Sequence, residues 1–398
     1  MEFSLQSTEV IYIIFSFLVA AIIAFATTPI AKLIARRVGA VDYPSARRVN
    51  KVPIPRMGGM AIFYGFMVSV LCFVDIGSPE LRGILLGAVI IAVLGALDDV
   101  YQLPAWLKFL VQLGAAVLVV CHGVDVSVIT NPFREGSYIH LGLWGYPLTV
   151  LWIVGVTNAV NLMDGLDGLA VGISAIACFA LFIIAIFTGM GNIAVLIAAV
   201  IGGCLGFLPY NSHPASIFMG DTGSNFLGFI MATISIQGLF KSYAVVSLLI
   251  PLMILGLPIF DTSFTIMRRM KNKKSIFQPD RGHLHHRLMD SGFSHQQTVY
   301  ILYVISALAA LSAVVLLLFG SARAMILIIA IVIFALATLA FTGVQLFSAH
   351  KKESSMIQDA VFGETEKQEE AKKALEEEAK EVLKEKEQAQ NEEEEQHD

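Results

Sequence analysis

Residues 158–170 read NAVNLMDGLDGLA, and the rest of the chain is organised around this stretch. It places two amides (Asn158, Asn161) and two carboxylates (Asp164, Asp167) between one apolar run and the next. Polar groups this dense are costly inside hydrocarbon, and the two glycines within the stretch permit a tight turn. We therefore predict a polar loop held at the membrane surface that binds a metal ion or a polar ligand. The alternative is a plain inter-helix turn in which Asn and Asp cap helices.

The composition indicates a polytopic membrane protein. Of the 398 residues, 56% are hydrophobic and 15% are charged, whereas soluble domains carry about 25% charged residues. Charge is unevenly distributed, because residues 353–398 hold 17 acidic and 6 basic side chains and the first 352 residues hold 15 and 21. We therefore predict a mildly basic membrane domain, 1–350, and an acidic cytoplasmic tail, 351–398, that is either disordered or a solvated single helix.

Apolar runs of about 20 residues can cross a bilayer as helices, and their spacing predicts an all-α fold with about eleven spans. Basic residues concentrate after the first and ninth runs, which places those loops in the cytoplasm. The N-terminus is then outside and the C-terminus is cytoplasmic. A short hairpin is predicted in the outer loop near 122–146. The runs lie near 10–34, 59–75, 82–97, 105–121, 147–160, 169–187, 192–208, 223–238, 243–266, 299–319 and 323–347.

With this topology, every polar cluster falls on the cytoplasmic face. Asp98 and Asp99 end the third run, and adjacent carboxylates repel each other unless a cation lies between them. This pattern favours either divalent metal binding or one ligand beside one proton acceptor, although a solvated helix end is the alternative. Lys108, at the start of the next run, could snorkel to the interface or contact a phosphate.

Asp221 lies in the string FMGDTGSN, where neighbouring glycines allow close approach of the backbone. Mg²⁺ prefers hard oxygen ligands, commonly one or two carboxylates together with substrate phosphates. Asp221, Asn161 and the adjacent aspartate pair supply the oxygen donors that such a site needs. The alternative is a glycine-rich turn in which Asp221 caps the following helix.

A histidine-rich segment, DRGHLHHRL, follows the ninth run. Zinc sites usually require further Cys, His or carboxylate ligands at characteristic spacing, and this face has no cysteine. With the neighbouring arginines, the histidines fit a clamp for an anion and a sugar better. Arg56, beside the first cytoplasmic crossing, either attracts anionic headgroups or only sets orientation. The clamp residues are Arg281, His283, His285 and His286.

The strings VPIPRMGG, LDDVYQLPAWLKFLVQ, NAVNLMDGLDGLA, FMGDTGS and DRGHLHHRL occur in this order within residues 25–350. Together they resemble the polyprenyl-phosphate N-acetylhexosamine-1-phosphate transferase family, and within it the Gram-positive enzymes that start wall teichoic acid synthesis. The related phospho-N-acetylmuramoyl-pentapeptide transferases share the aspartate motifs. Their histidine loop typically has three successive histidines, whereas Leu284 interrupts the run in this chain.

The resemblance implies transfer of N-acetylglucosamine-1-phosphate from UDP-N-acetylglucosamine to undecaprenyl phosphate, with release of UMP. It implies Mg²⁺, with Mn²⁺ as an alternative ion, and an active site on the cytoplasmic face of a multi-pass protein of the bacterial plasma membrane. The partners are the two substrates and the lipid bilayer, with no nucleic acid, and a homodimer is left open. An ion-coupled transporter is the alternative from another class, but it predicts charges at midplane and internal repeats, which we do not find.

The resemblance also suggests roles for individual residues. Asp221 and Asn161 are similar to the metal ligands, Asp98 and Asp99 to the pair that activates the lipid phosphate, Lys108 to a pyrophosphate contact, and Asp167 to the position that reads the uracil ring. We group Asp164 with the catalytic residues, Asn158 and Arg56 with the substrate-binding residues, and Arg281, His283, His285 and His286 with the loop that meets the sugar-phosphate. Whether an aspartate attacks covalently or assists direct attack stays open.

The acidic tail yields the first testable prediction. Its composition cannot bury a core, and it lies outside the resemblance, so truncation after Lys352 should leave membrane insertion and transferase activity largely unchanged. The measurement is UMP release by the truncated protein relative to the full chain at equal inserted amounts. A large loss of activity in a properly inserted truncated protein would contradict this view of the tail.

Overall fold

A computed structural model describes residues 7–44, 52–130, 138–240, 249–273, 282–319 and 326. Within these ranges the fold is helical, with two short antiparallel strand pairs. The helices are α1 (Ser7–Arg37), α2 (Gly59–Phe73), α3 (Pro79–Tyr101), α4 (Ala105–Cys121), α5 (Gly145–Met163), α6 (Leu169–Phe187), α7 (Gly191–Asn211), α8 (Gly220–Ser235), α9 (Leu249–Ile254), α10 (Gly256–Lys271), α11 (Leu284–Asp290) and α12 (His295–Phe319). The strand pairs are β1 (Val41–Asp42) with β2 (Ile54–Pro55), and β3 (Val128–Thr130) with β4 (Tyr138–His140).

Six helices among the described residues are long and apolar enough to cross a membrane, namely α1, α3, α5, α6, α7 and α12. Two further helices, α2 and α4, are apolar but shorter. The predicted class, a helical multi-pass membrane protein, is therefore confirmed, whereas the count of eleven spans and the orientation stay predictions. The eleventh predicted run lies outside the described residues except for position 326, and the acidic tail lies wholly outside them.

Three predicted features of local structure fall within the described residues. The hairpin predicted near 122–146 is confirmed as a pair of strands, because β3 and β4 pair in antiparallel register. The boundary of the fifth run was wrong: α5 continues to Met163 and carries Asn158 and Asn161, so these amides project from a helix and the loop begins only at Asp164. The ninth run contains a break between α9 and α10, because Pro258 has no N–H to donate to the carbonyl four residues earlier.

Helix α8 lies inside the helical bundle. Its residues from Thr222 to Ser235 are all buried, and it packs against α2, α3 and α5. By contrast, α1 exposes large apolar side chains such as Ile22 and Phe25, which suits contact with lipid tails. A fully buried helix has its position fixed on all sides, so the groups at its first turn are held rigidly.

Glycines allow α8 to approach its neighbours closely. A Cβ atom on Gly95 of α3 would lie 2.4 Å from the Cα atom of Thr222, and one on Gly59 of α2 would lie 2.1 Å from the Cα atom of Gly223. Small residues at such crossings let helix backbones pack directly in membranes. The end of α3 is thereby brought against the start of α8, which places the Asp98–Asp99 pair beside Asp221.

This packing predicts opposite outcomes for two glycine substitutions. Gly95→Ala should lower the free energy of unfolding by about 1–3 kcal/mol, because the methyl group forces α3 and α8 apart. Gly155→Ala, at an open position on α5 with no atom within 4 Å, should be neutral or slightly stabilising because Ala favours helix. Thermal unfolding of both variants in the same detergent measures the difference, and equal unfolding temperatures would contradict the close crossing.

Candidate active site

Three helix ends converge around a cavity of about 610 Å³. The last turn of α3, the loop between α5 and α6, and the first turn of α8 each contribute carboxylates to its wall. Because these segments are far apart in the sequence, only the packing of α3, α5 and α8 brings them together. The predicted site residues that line the cavity are Arg56, Asp99, Asp164, Asp167, Asp221 and His286.

Asp99 accepts hydrogen bonds from the first turn of α8. Its carboxylate accepts the backbone N–H groups of Asp221 at 2.9 Å and Thr222 at 3.1 Å, and the Thr222 hydroxyl at 2.6 Å. The first N–H groups of a helix have no partner within the helix, and a carboxylate there complements the helix dipole. Asp99 is therefore a structural anchor for the start of α8, and its predicted catalytic role stays a prediction.

Lys108 links two of the carboxylates. Its ammonium group lies 2.8 Å from Asp98 Oδ2 and 3.1 Å from Asp221 Oδ2. The other oxygen of Asp98 accepts the backbone N–H of Leu103 at 2.7 Å. Lys108 thus places a positive charge between Asp98 and Asp221, which offsets the repulsion between these carboxylates. Metal binding by the Asp98–Asp99 pair stays a prediction.

Asn161 lies beside Asp221, as its predicted role requires. Its amide Nδ2 donates to Asp221 Oδ1 at 2.9 Å and to the Ser224 hydroxyl at 2.8 Å. Within the described part of the chain, Asn161 Oδ1 and the Asp164 carboxylate accept no hydrogen bond. Burial raises the pKa of Asp164 to about 7, with Asp99 and Asp167 adding repulsion. These oxygens, with those of Asp221, are the hard donors that Mg²⁺ prefers.

Arg56 is placed at the end of α3 by a β-bridge to Phe218. Its guanidinium donates to the backbone carbonyls of Asp99 at 2.9 and 3.1 Å and of Asp98 at 3.4 Å. The last carbonyls of a helix lack partners within the helix, so a cation stabilises them. Arg56 therefore combines a structural contact with a position on the cavity wall.

Asn158 does not line the cavity, and it lies in α5 before Asp164, where the cavity lining of this segment begins. Its Nδ2 donates to Gln112 Oε1 at 2.6 Å and to the Val154 carbonyl at 2.8 Å, while Gln112 Nε2 donates to Asn225 Oδ1 at 3.1 Å. This chain of amides ties α4, α5 and α8 together in the interior. The predicted substrate contact of Asn158 stays a prediction.

The histidine loop is anchored by a residue that the sequence analysis did not single out. Asp261 of α10 accepts His283 Nδ1–H at 2.9 Å and the backbone N–H of Leu284 at 2.8 Å. Asp261 lies within an otherwise apolar run of the sequence. An ionisable residue in a membrane segment often has a function, so this position was detectable from the sequence. Of the remaining loop residues, His286 reaches the cavity, while Arg281 lies outside the described residues.

His285 is buried and packs its ring against Gly165, where a Cβ atom would lie 2.4 Å from Nε2. Burial, followed by the neighbouring His286 and His283, lowers the pKa of His285 to about 3. The imidazole is therefore neutral at physiological pH. It connects the histidine loop to the turn that carries Asp164 and Asp167, so the two motifs form one wall of the cavity.

A second unforeseen group surrounds Asp167. His213, from the loop before α8, and His295, at the start of α12, both contact this residue. The ligand atoms of the three residues lie within 4.8 Å of one another, close enough for a metal ion to bridge them. In the sequence, the segment NSHPAS that contains His213 lies on the same predicted face as the other polar clusters, which was the available signal.

Comparison with known proteins places these observations in a family. Residues 81–239 match the model for glycosyl transferase family 4. A probable undecaprenyl-phosphate N-acetylglucosaminyl 1-phosphate transferase of Bacillus subtilis is 48% identical over 77% of this chain and 86% of its own length. A decaprenyl-phosphate N-acetylglucosaminephosphotransferase of Mycobacterium tuberculosis is 36% identical over 72% and 78%. The undecaprenyl-phosphate alpha-N-acetylglucosaminyl 1-phosphate transferase of Escherichia coli K12 is 29% identical over 70% and 77%.

The anchor at Asp261 can be tested without an assay of function. Asp261→Ala removes the acceptor of two partly buried hydrogen bonds and should cost about 1–3 kcal/mol of local stability. Amide hydrogen exchange of residues 284–290 should accelerate strongly. Asp290→Ala is the matched control, because this exposed carboxylate lies at the end of the same short helix, and its removal should leave exchange nearly unchanged. Similar exchange in both variants would show that Asp261 does not hold the loop.

Proposed function

The chain belongs to the polyprenyl-phosphate N-acetylhexosamine-1-phosphate transferase family, and from that premise we propose that it transfers N-acetylglucosamine-1-phosphate from UDP-N-acetylglucosamine to undecaprenyl phosphate. UMP is the second product. The proposal places this step at the start of teichoic acid or related cell-surface polysaccharide synthesis, on the cytoplasmic face of the bacterial plasma membrane. The names of the relatives, which contain polyprenyl phosphates and N-acetylglucosamine, support the two substrate classes.

The observation that carries the proposal is the set of groups around one cavity at the helix ends. Asp164, Asp167 and Asp221 line it together with the cationic Arg56 and with His286. A reaction between a soluble nucleotide and a lipid phosphate must occur where membrane and water meet. Carboxylates at the ends of spans, and a cavity of about 610 Å³, suit that requirement better than they suit ion transport through midplane.

The oxygen donors fit a divalent cation. Asp221, Asp164 and the amide oxygen of Asn161 would hold Mg²⁺, with Mn²⁺ as a substitute. A bound Mg²⁺ would neutralise the charge of two phosphates that must approach each other and would polarise the donor diphosphate. Lys108, which contacts Asp221, would remain close enough to contact a phosphate.

In the proposed reaction, one phosphorus–oxygen bond forms and another breaks. An oxygen of the lipid phosphate forms a bond to the sugar-bearing phosphorus of the donor, and the bond from that phosphorus to the oxygen bridging the two phosphates breaks, so UMP leaves with the electron pair. Arg56 and His286 supply donors to the crowded anions, and Asp98 pairs with Lys108 beside them. Asp99 keeps the first turn of α8, and with it Asp221, in place. Fixed donors of this kind stabilise charge in the transition state.

The choice of donor rests on the histidine loop. His286 lines the cavity, and the sequence of that segment supplies histidine and arginine donors for a diphosphate and a small sugar. Leu284 interrupts the run of histidines that the pentapeptide transferases typically show. The loop is held against the turn at Gly165 by the buried His285. We therefore favour a simple N-acetylhexosamine donor over a peptide-bearing one.

Donor competition tests the proposal. Purified full-length protein, undecaprenyl phosphate and Mg²⁺ are incubated with UDP-N-acetylglucosamine or UDP-N-acetylmuramoyl-pentapeptide, and UMP is measured, because specificity is a ratio of rates under one set of conditions. We expect clear release from the first donor, almost none from the second, and loss of release on chelation. Asp221→Asn should reduce turnover about 100-fold or more, because it removes a charged ligand.

Asp75→Asn is the matched control, since Asp75 is an exposed carboxylate in the turn before α3, and it should retain full activity. Greater turnover of the pentapeptide donor would overturn the donor assignment and leave the phosphotransferase chemistry intact. Substantial activity of Asp221→Asn at saturating Mg²⁺ would overturn the metal assignment.

A further inference from the structure

The group around Asp167 is built from three separate elements. His213 Nδ1–H donates to Asp167 Oδ2 at 2.7 Å, and the backbone N–H of Ala215 donates to the same oxygen at 3.1 Å. The backbone N–H of Asp167 donates to His295 Nε2 at 3.0 Å. The two imidazoles stack with ring centroids 4.3 Å apart. The loop after α5, the loop before α8 and the start of α12 are thus joined at one carboxylate.

These contacts engage one oxygen of the Asp167 carboxylate, Oδ2, and leave Oδ1 able to accept a hydrogen bond from a ligand. Oδ2 has two donors, whereas Oδ1 accepts no hydrogen bond in the part of the chain that the structure describes. Asp167 lines the cavity that Asp221 also lines, and its side chain is 12% exposed. A largely buried acceptor oxygen with a fixed orientation is suited to a ligand N–H, because an unmatched ligand would leave it without a partner.

A metal ion is the competing explanation for the same three residues. Two hydrogen bonds argue against it: the proton on His213 Nδ1 points to the carboxylate, and the lone pair of His295 Nε2 already accepts the N–H of Asp167. A metal bound through these two nitrogens would have to break both hydrogen bonds. His295 Nδ1 is buried without a hydrogen-bond partner among the described residues, so stability of the fold alone does not explain a histidine there.

We propose that His213 and His295 are positioning residues that direct Asp167 Oδ1 towards the ring N–H of the base in a uridine nucleotide donor. This inference rests on the proposed function and on the resemblance that already links Asp167 to the uracil ring. What it adds is the role of the two histidines, which hold that residue in place. A uracil attached to ribose has one ring N–H, at N3, whereas cytosine has a lone pair at that atom. A carboxylate held in place therefore attracts the first base and repels the second.

The mode of action predicts which substitutions rescue function. The side-chain nitrogen of Asn can occupy the place of an imidazole Nδ1, and the side-chain oxygen of Gln the place of Nε2. Because His213 acts through Nδ1 and His295 through Nε2, His213→Asn and His295→Gln should preserve the contacts. His213→Gln and His295→Asn should not. This crossed pattern does not follow from a merely space-filling role.

The test uses the purified full-length protein with Mg²⁺. His213→Ala and His295→Ala should raise the KM for UDP-N-acetylglucosamine about tenfold, while kcat and the KM for undecaprenyl phosphate stay within about twofold. Titration calorimetry should show weaker UMP binding and little change for CMP, so that discrimination between the two nucleotides falls. His122→Ala is the control, because this half-buried imidazole bonds to the Leu118 carbonyl and does not line the cavity.

Recovery of KM and of UMP binding in His213→Asn and His295→Gln alone supports the inference. The inference is overturned if kcat falls with KM unchanged, if both rescue sets behave like the Ala variants, or if UMP and CMP affinities fall equally. Zn²⁺ binding that is lost in either Ala variant, with UMP affinity unchanged, would favour the metal explanation and also overturn it. Failure of the wild type to release UMP is a separate result, which overturns the proposed function and removes the premise of this inference.

Discussion

The hydrogen bonds between the Asp99 carboxylate and the first turn of α8 are the interaction on which the site depends. They join the end of one buried helix to the beginning of another, and the close crossing at Gly95 makes them possible. The first N–H groups of α8 have no partner within that helix, and the Asp99 carboxylate accepts two of them at the positive end of the helix dipole. Asp221 is the residue thereby fixed, and the cavity forms around it.

Near the contact between Asp99 and α8, the carboxylates of the site have different environments. Asp99 accepts three hydrogen bonds from the start of α8, Asp98 is paired with Lys108, and Asp167 is held by a histidine and a backbone amide. Asp164 carries no hydrogen bond in the described part of the chain, and burial raises its pKa to about 7. Four carboxylates of similar sequence context are therefore divided by their partners into anchors and available ligands. The role of each carboxylate follows from the helix end or side chain that it contacts.

The second organising feature is the attachment of the histidine loop to the Asn/Asp stretch. Asp261 fixes the start of α11, and His285 lies against Gly165. On the other side of the same turn, His213 and His295 hold Asp167. The turn after α5 is thus supported from α10, α11 and α12. Such support suits a site whose acceptor oxygens must keep a fixed geometry against a charged substrate.

The sequence by itself determined the helical membrane class, the strand pair near 122–146 and the set of polar clusters, because the length of a hydrophobic run and the polar residues that interrupt it are local properties. It also identified Asp98, Asp99, Asp221 and the Asn/Asp stretch through motifs that could be compared with a family. It missed the end of α5, because the amide of Asn158 is satisfied by Gln112 on another helix and so tolerates burial.

Only the tertiary structure decided which carboxylate oxygens accept hydrogen bonds from the described residues. It also revealed Asp261, His213 and His295 as partners of residues 22, 46 and 128 positions away, respectively. No local pattern encodes such pairings, since they arise from how buried helices cross and where their ends meet. The physical reason is that hydrogen bonds at these ends depend on distances of about 3 Å, which close packing of distant helices sets.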